Sequence, residues 1–275
     1  MIRFRTLAVA AFAALALPAV GADLKVMSFN VRTMKADDGA DGWAKRRDLF
    51  ADTIRQVDPD VIGTQELNKA QGDDTVARLP AYTWFGRDRH GGHDDEHMGI
   101  FYKKDRLKII EQGDFWLSDT PDKVGSITWG NVMPRMVNWA LFERIADHKR
   151  FYLLDTHFPY RDQDEDARTR SAREIAGWIA KLPAGVPVIL TGDFNTGPDS
   201  QAHALLTEGL KDARLTAPTH DGPDGTFHAF TGQPVKRIDW ILYRGVAPTW
   251  QRTITTSKNG HYPSDHFPIA ADFTL

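Results

Sequence analysis

The stretch Ile189-Leu190-Thr191-Gly192-Asp193-Phe194-Asn195 decides the fold. The apolar run that leads into it, from Val186 to Leu190, reads as a buried strand. It ends in Gly192, a residue that lets backbone come close to a ligand. Asp193 and Asn195 stand two apart, and side chains two apart on a strand or its extension point the same way. Both then project from the carboxyl end of a buried strand, where open α/β sheets bind ligands. Alone, this run of Gly, Asp and Asn describes an ordinary turn. Other apolar strands of the chain end in the same manner, and that repetition decides between the two readings.

Working outward, Leu24 to Val31 reads as a strand and Trp43 to Val57 as a helix, with Trp43, Arg47, Phe50, Ile54 and Val57 in phase and Asp58-Pro59-Asp60 as its stop. Val61 to Glu66 is a second buried strand with a polar tip. Asp73 to Leu79 is a short helix, and Tyr82 to Phe85 and Met98 to Tyr102 are strands on either side of a polar loop, Arg87 to His97. Leu107 to Leu117 is a strand followed by a long loop to Pro134. Val137 to Phe142 and Phe151 to Thr156 form a strand pair that ends at His157. Asp164 to Ile179 is a helix, and Ser200 opens another that Gly209 stops. Strands are expected over Val235 to Tyr243, Trp250 to Thr256 and Ile269 to Phe273. With no internal repeat, low-complexity tract or linker, residues 23–275 read as one domain, a layered α/β sandwich.

The chain has 275 residues, 41% hydrophobic and 26% charged, with a formal net charge of −3. Arg3 and Arg5 precede an apolar run from Leu7 to Val20, and Val20-Gly21-Ala22 supplies small residues for cleavage before Asp23. The run is shorter than the ~20 residues that span a bilayer. Residues 1–22 are therefore read as a removed signal peptide, and the mature protein as periplasmic or secreted. Losing the two arginines takes the net charge to −5. No basic stripe of the kind that grips nucleic acid is evident beyond Lys45-Arg46-Arg47. There is no cysteine, which excludes thiol nucleophiles, thiolate metal sites and disulfides.

Strand tips and the residues before the last strand supply Asn30, Glu66, His157, Asp193, Asn195, Asp239, Asp265 and His266. Each alone has a plain explanation: a turn cap, a loop start, a core histidine with its hydrogen bonds met. Buried charges without partners are very costly, so eight such positions on apolar strands point to one shared polar site. In order and rough spacing, Phe29-Asn30-Val31-Arg32, Thr64-Gln65-Glu66, Thr156-His157, Gly192-Asp193-Phe194-Asn195, Arg237-Ile238-Asp239-Trp240 and Ser264-Asp265-His266 resemble the motifs of the endonuclease/exonuclease/phosphatase superfamily. Phe115-Trp116-Leu117-Ser118, Pro134-Arg135 with Trp139, and Gly225-Thr226-Phe227 resemble its small secreted bacterial members. The resemblance runs from about residue 24 to the end. It implies a four-layer sandwich of two packed, mainly antiparallel sheets flanked by helices, with metal-dependent phosphoesterase chemistry at the sheet edges.

That chemistry adds water to a phosphoryl group that gathers negative charge, which a divalent cation stabilises. Mg2+, or Mn2+ or Ca2+ in its place, takes oxygen donors. The resemblance groups Glu66, Asp265 and Asn30 around the metal. It implies a carboxylate–imidazole pair of Asp239 and His266, a water-orienting Asp193, a phosphoryl-binding Asn195 and a second phosphate-binding histidine, His157. Which of these is the general base stays open. Arg135 is a further candidate, since a guanidinium fits phosphate oxygens two at a time; a surface ion pair is the other reading. Glu96 and His97 occupy a loop matching a Gly-Glu region of the secreted relatives. Trp129, Phe227 and His228 are candidates for the pocket wall, and Trp139 for the core.

Three functions compete at this stage. The first is a secreted metal-dependent phosphoesterase for a small or lipid-linked phosphate mono- or diester. The second is an extracellular nuclease. The third is a binding module of the same fold without catalysis.

Overall fold

The computed structural model describes residues 24–275, so the expected signal peptide lies outside the described residues. One sheet contains β1 (Leu24–Asn30), β2 (Val61–Gln65), β3 (Tyr82–Phe85), β4 (Ile100–Lys103), β10 (His220–Asp221), β12 (Ala247–Thr253) and β13 (Ile269–Thr274), in the spatial order β10-β12-β13-β1-β2-β4-β3. The other contains β5 (Leu107–Trp116), β6 (Met136–Arg144), β7 (Arg150–His157), β8 (Val188–Asp193), β9 (Lys211–Asp212) and β11 (Asp239–Arg244), in the order β5-β6-β7-β8-β11-β9. Both sheets are mixed and mostly antiparallel; β1 and β2 run parallel, as do β7 and β8.

Three apolar clusters separate the layers. Helices α1 (Trp43–Val57) and α2 (Lys69–Arg78) cover the outer face of the first sheet through Phe50, Ile54, Phe29 and Ile62. The two sheets meet through Val26, Val61, Ile100, Phe142, Leu153, Ile189, Ile241 and Phe273. Helices α3 (Glu165–Ala180) and α4 (Gln201–Thr207) cover the second sheet through Ile175, Ile179 and Leu206 on Leu154, Leu190 and Trp240, and a one-turn α5 (Ala213–Thr216) follows β9. The four-layer sandwich is therefore as expected. Among the described residues, no helix is long and apolar enough to cross a membrane.

Several boundaries differ from the sequence reading, each for a local reason. Helix α2 starts at Lys69, four residues earlier than expected, because the Gln71 side chain reaches back to accept the Asn68 N–H at 3.0 Å. Strand β11 begins at Asp239, not Val235. Residues 235 and 236 bridge instead to Phe227, with Val235 N donating to Phe227 O and Thr226 N to Lys236 O. Gly192 makes room for protein, not ligand: a Cβ there would lie 2.7 Å from Thr156 O.

Candidate active site

Strand register brings the acid and base residues side by side. His157 at the end of β7 and Asp239 at the start of β11 both pair with Asp193, the last residue of β8. Asn30 ends β1, and Glu66 follows β2 in a left-handed conformation, φ 61°. Arg32 and Asn195 share that conformation, so backbone strain gathers at three strand tips around one cavity. Asp265 and His266 arrive from the loop before β13, and Ser264 Oγ ties that loop to Asn30 O at 2.7 Å. The cavity has a volume of about 410 Å3 and is lined by Glu66, Asp265, Asp193, Asn195, His157 and His266, with Arg32, Arg89, Arg135, Tyr160 and Lys236.

Asn30 Nδ2 donates to Glu66 Oε1 at 3.1 Å and to Asp193 Oδ2 at 2.9 Å, linking carboxylates that belong to different sheets. Asp193 Oδ2 also lies 3.5 Å from His157 Nε2 and 3.8 Å from His266 Nε2. Its Oδ1 accepts the Asn195 N–H at 3.0 Å, an Asx turn. Asn195 therefore leaves the strand instead of extending it, and its amide donates to Phe158 O at 3.1 Å. Burial and the charge of Asp239 push the Asp193 carboxyl up to about 7.

The two histidines have opposite protonation. Burial disfavours a charged His266, but Asp239, 2.9 Å from its Nδ1, and Asp193 outweigh that and hold the ring well above the usual imidazole range. Burial holds His157 well below that range, helped by the positive charges of Arg135, Arg89 and His266. A site that drives two like groups apart in this way assigns them different work.

Asp193, Asp239 and His266 have donor atoms within 4.8 Å of one another. His266 Nδ1 is engaged by Asp239 at 2.9 Å, which leaves Nε2 as the ring atom that faces Asp193. Glu66 and Asp265 offer carboxylate oxygens, and Asn30 an amide whose Oδ1 accepts the Arg32 N–H at 2.9 Å while its Nδ2 faces Glu66; oxygens are what a hard divalent cation takes. Burial pushes the Asp265 carboxyl up; the charge of His266 pulls it back, and that of Glu66 raises it again. A cation shared by the two carboxylates would relieve that repulsion, so the residues present fit one.

The same cavity is lined by the cationic side chains of Arg32, Arg89, Arg135 and Lys236, with Arg32 Nε 3.8 Å from Asp265 Oδ2. Asp88 places one of them by accepting four backbone N–H groups: His90 and Gly92 on Oδ1 at 2.8 and 2.9 Å, and Asp94 and Asp95 on Oδ2 at 2.7 and 2.9 Å. This folds the 87–97 loop so that Arg89 reaches the cavity, paired with Glu96. Glu96 thus serves the arginine, while His97 is buried behind it, its Nδ1 bonded to Leu67 O at 2.8 Å.

Two expected wall residues lie elsewhere. Trp129 packs against the cluster under α3 and donates from Nε1 to Asp119 Oδ1 at 2.7 Å. His228 is buried behind the wall, stacked on Phe267 with ring centres 4.0 Å apart, and burial pushes it down to about 4. Asn30 and Asp239 sit just beneath the lining surface, and Phe227 is on it.

Arg32, Arg89, Tyr160 and Lys236 were missed as cavity residues by sequence reasoning. Arg32, Lys236 and Tyr160 carried a signal, Arg32 inside the Asn30 motif, Lys236 directly before the Asp239 motif and Tyr160 three residues after His157; Arg89 carried none. Arg46, the middle of the supposed basic cluster, is buried. Its guanidinium donates to four backbone carbonyls, of Val31, Arg32, Asp41 and Pro263, and so pins the loops that carry Asn30 and Asp265.

Comparison with known proteins agrees with this fold. The structure is similar to a mannosyl-6-phosphatase of Bacteroides thetaiotaomicron, with 32% identity and a TM-score of 0.85 over 92% of this chain and 100% of that one. It shares the fold of D. rerio TDP2 solved with a single-strand DNA product, at 22% identity and a TM-score of 0.75, over 92% and 99% of the two chains. An uncharacterized protein of Acanthamoeba polyphaga mimivirus is 31% identical over 163 residues, 56% of this chain; the alignment spans 59% of the viral protein. A profile of the endonuclease/exonuclease/phosphatase family matches residues 27–266, from β1 to the histidine that closes the site. With the match running through both sheets and all the strand tips of the cavity, the chain belongs to the endonuclease/exonuclease/phosphatase family of phosphoester hydrolases.

Proposed function

We propose that this enzyme hydrolyses a small phosphate ester with the help of a divalent cation. The observation that carries the reading is the cavity: about 410 Å3, lined by both carboxylates and cationic side chains, with one charged and one neutral histidine among them. That volume is at the small-molecule end of ligand sites, about 300–1,000 Å3. The 32% identical mannosyl-6-phosphatase supports a substrate of sugar-phosphate size.

Glu66, Asp265 and Asn30 would hold the cation, Mg2+ or a similar oxygen-seeking ion. When bound, it offsets charge developing on the phosphoryl oxygens. The remaining work falls to the chain itself. Asp193, fixed by Asn30 and the Asn195 N–H, takes the proton of the attacking water through Oδ2. The water oxygen bonds to phosphorus as the ester P–O bond breaks, and the departing oxygen takes a proton from solvent. His266, kept charged by Asp239, presents Nε2–H to the phosphoryl group. His157, kept neutral, hydrogen-bonds there without acting as the acid.

Residues 1–22 support an exported enzyme, and an isolated mature chain that begins at Asp23 is the check on that. The functional test is a panel of small phosphate esters alongside plasmid DNA and RNA, with Mg2+ or EDTA. Metal-dependent turnover of a small ester, lost in His266→Ala, is expected. Faster degradation of nucleic acid than of every small ester would hand the site to the nuclease reading.

A further inference from the structure

Five arginines are buried among the described residues: Arg46, Arg89, Arg135, Arg144 and Arg168. Four have their charge met within the chain. Arg46 has backbone carbonyls, Arg89 has Glu96, Arg144 has Asp147, and Arg168 has Glu165 with the carbonyls of Pro159 and Arg161. Arg135 has none. It is 3% exposed, its Nε has no acceptor, and no carboxylate lies within ion-pair distance among the described residues. Its guanidinium lies over the ring of Tyr160, with Cζ 6.0 Å from the ring centre.

A buried cation without a partner is among the most costly arrangements a chain can keep. Burial and the neighbouring charge of Arg89 push its pKa down to about 9, against the pull of Asp193 and Glu66. The backbone gives it no freedom to escape: Leu117 N donates to Arg135 O at 2.7 Å, and β6 starts at the next residue. The side chain lines the cavity near His157 and Asp193. The missing anion must therefore come from the ligand.

We propose that Arg135 makes the enzyme selective for phosphate monoesters, by taking the doubly charged terminal phosphoryl group with its guanidinium fork. This rests on the phosphoester hydrolase reading above and narrows its substrate class. A monoester dianion presents three unsubstituted oxygens, enough for a cation held by Glu66 and Asp265 and for the arginine at once. A diester carries one negative charge and a second carbon substituent. Placed against Arg135, that substituent would strip water from the guanidinium and return no acceptor. A site built to bond a polar group rejects an analogue that lacks it far more strongly than a shape mismatch would.

The test measures kcat/KM of the full chain with Mg2+ on 4-nitrophenyl phosphate and on bis(4-nitrophenyl) phosphate, for wild type, Arg135→Gln and Arg135→Lys. The wild type should favour the monoester. Gln should lower monoester turnover by about a hundredfold or more, as loss of a charged contact to developing oxyanions does, and change the diester by less than about threefold. Lys should restore part of the loss, since it keeps the charge without the fork. The melting temperature of the Gln variant should equal or exceed that of wild type, because an uncompensated buried charge has gone. Equal losses on both esters, or lost activity with a lowered melting temperature, would overturn the proposal. If wild type cleaves neither ester, the functional reading fails, and calorimetric binding of inorganic phosphate still reads the arginine: binding lost in Arg135→Gln supports its role, and binding retained removes it.

Discussion

Asp239 Oδ2 and His266 Nδ1 lie 2.9 Å apart, and the bond joins the two halves of the sandwich. Asp239 opens β11 in one sheet, while His266 leads into β13 in the other. Both side chains are buried, and Asp239 is the main reason that the histidine keeps its proton. Replacing Asp239 with Asn keeps the shape and removes the charge. Turnover should fall by about a hundred- to ten-thousandfold, the range for disabling a proton-handling group. The ring should also titrate at lower pH by NMR. A variant within threefold of wild type would show that the charge on His266 does no work.

The two histidines contribute to stability with opposite signs. His266, raised in the fold, adds stability that is complete below the ordinary imidazole pKa of about 6.5 and is lost as pH rises through its raised value. His157 is depressed in the fold. Its stability is intact above about 6.5 and declines as pH falls below that, because the unfolded ring then binds a proton that the folded ring refuses. In the whole protein the two trends oppose each other. The variant His157→Gln should therefore lose less stability than wild type between neutral pH and pH 5 in urea titrations. Parallel curves for the two proteins would mean that His157 charges readily in the fold.

If Glu66 and Asp265 share a cation, that cation binds only the folded chain. Saturating Mg2+ or Mn2+ should then raise stability by about 2.7 kcal/mol at a hundredfold excess over Kd. EDTA should abolish both this gain and turnover. Glu66→Gln removes one charged donor while retaining the hydrogen bond from Asn30 as an amide oxygen, so the fold should persist. The metal-dependent gain should shrink in this variant. A full thermal shift in Glu66→Gln would place the cation elsewhere.

How much of this was legible beforehand follows from the range of each interaction. Strand tips such as Asp193 and His157 announce themselves, because a charged residue ending an apolar run is a local pattern. The four layers follow from the alternation of strands and helices. The cationic lining is different: Arg89 reaches the cavity only because Asp88 gathers N–H groups from four residues of its own loop, and no periodicity encodes that. Trp129 and His228 were misplaced for the matching reason, since aromatic residues near a motif pack as readily behind a wall as on it. Arg46 reads as a surface charge until the carbonyls that it satisfies, as far along the chain as Pro263, are brought to it by the fold.

A tight contact between the two sheets supplies the last prediction. At Gly63 in β2, an added Cβ would fall 2.0 Å from Thr191 Oγ1 and 2.3 Å from Asp155 Oδ1, both on the facing sheet. Asp155 is fully buried and accepts from Gln65 Nε2 and Thr191 Oγ1, each at 2.7 Å. Neither contact can yield cheaply, because Thr191 and Asp155 sit on central strands and hold this cross-sheet network together. The Gly63→Ala variant should therefore be destabilised by about 3 kcal/mol, the upper end for overpacking a core. It should also lose turnover beyond its loss of folded protein. Glu66 lies three residues on from the point of collision, just past the end of β2, and Asp193 two along β8 from Thr191, on opposite sheets that one methyl group would force apart. A folded Gly63→Ala protein with wild-type kcat would show that the carboxylates tolerate a wider separation than the Asn30 bridge between them implies.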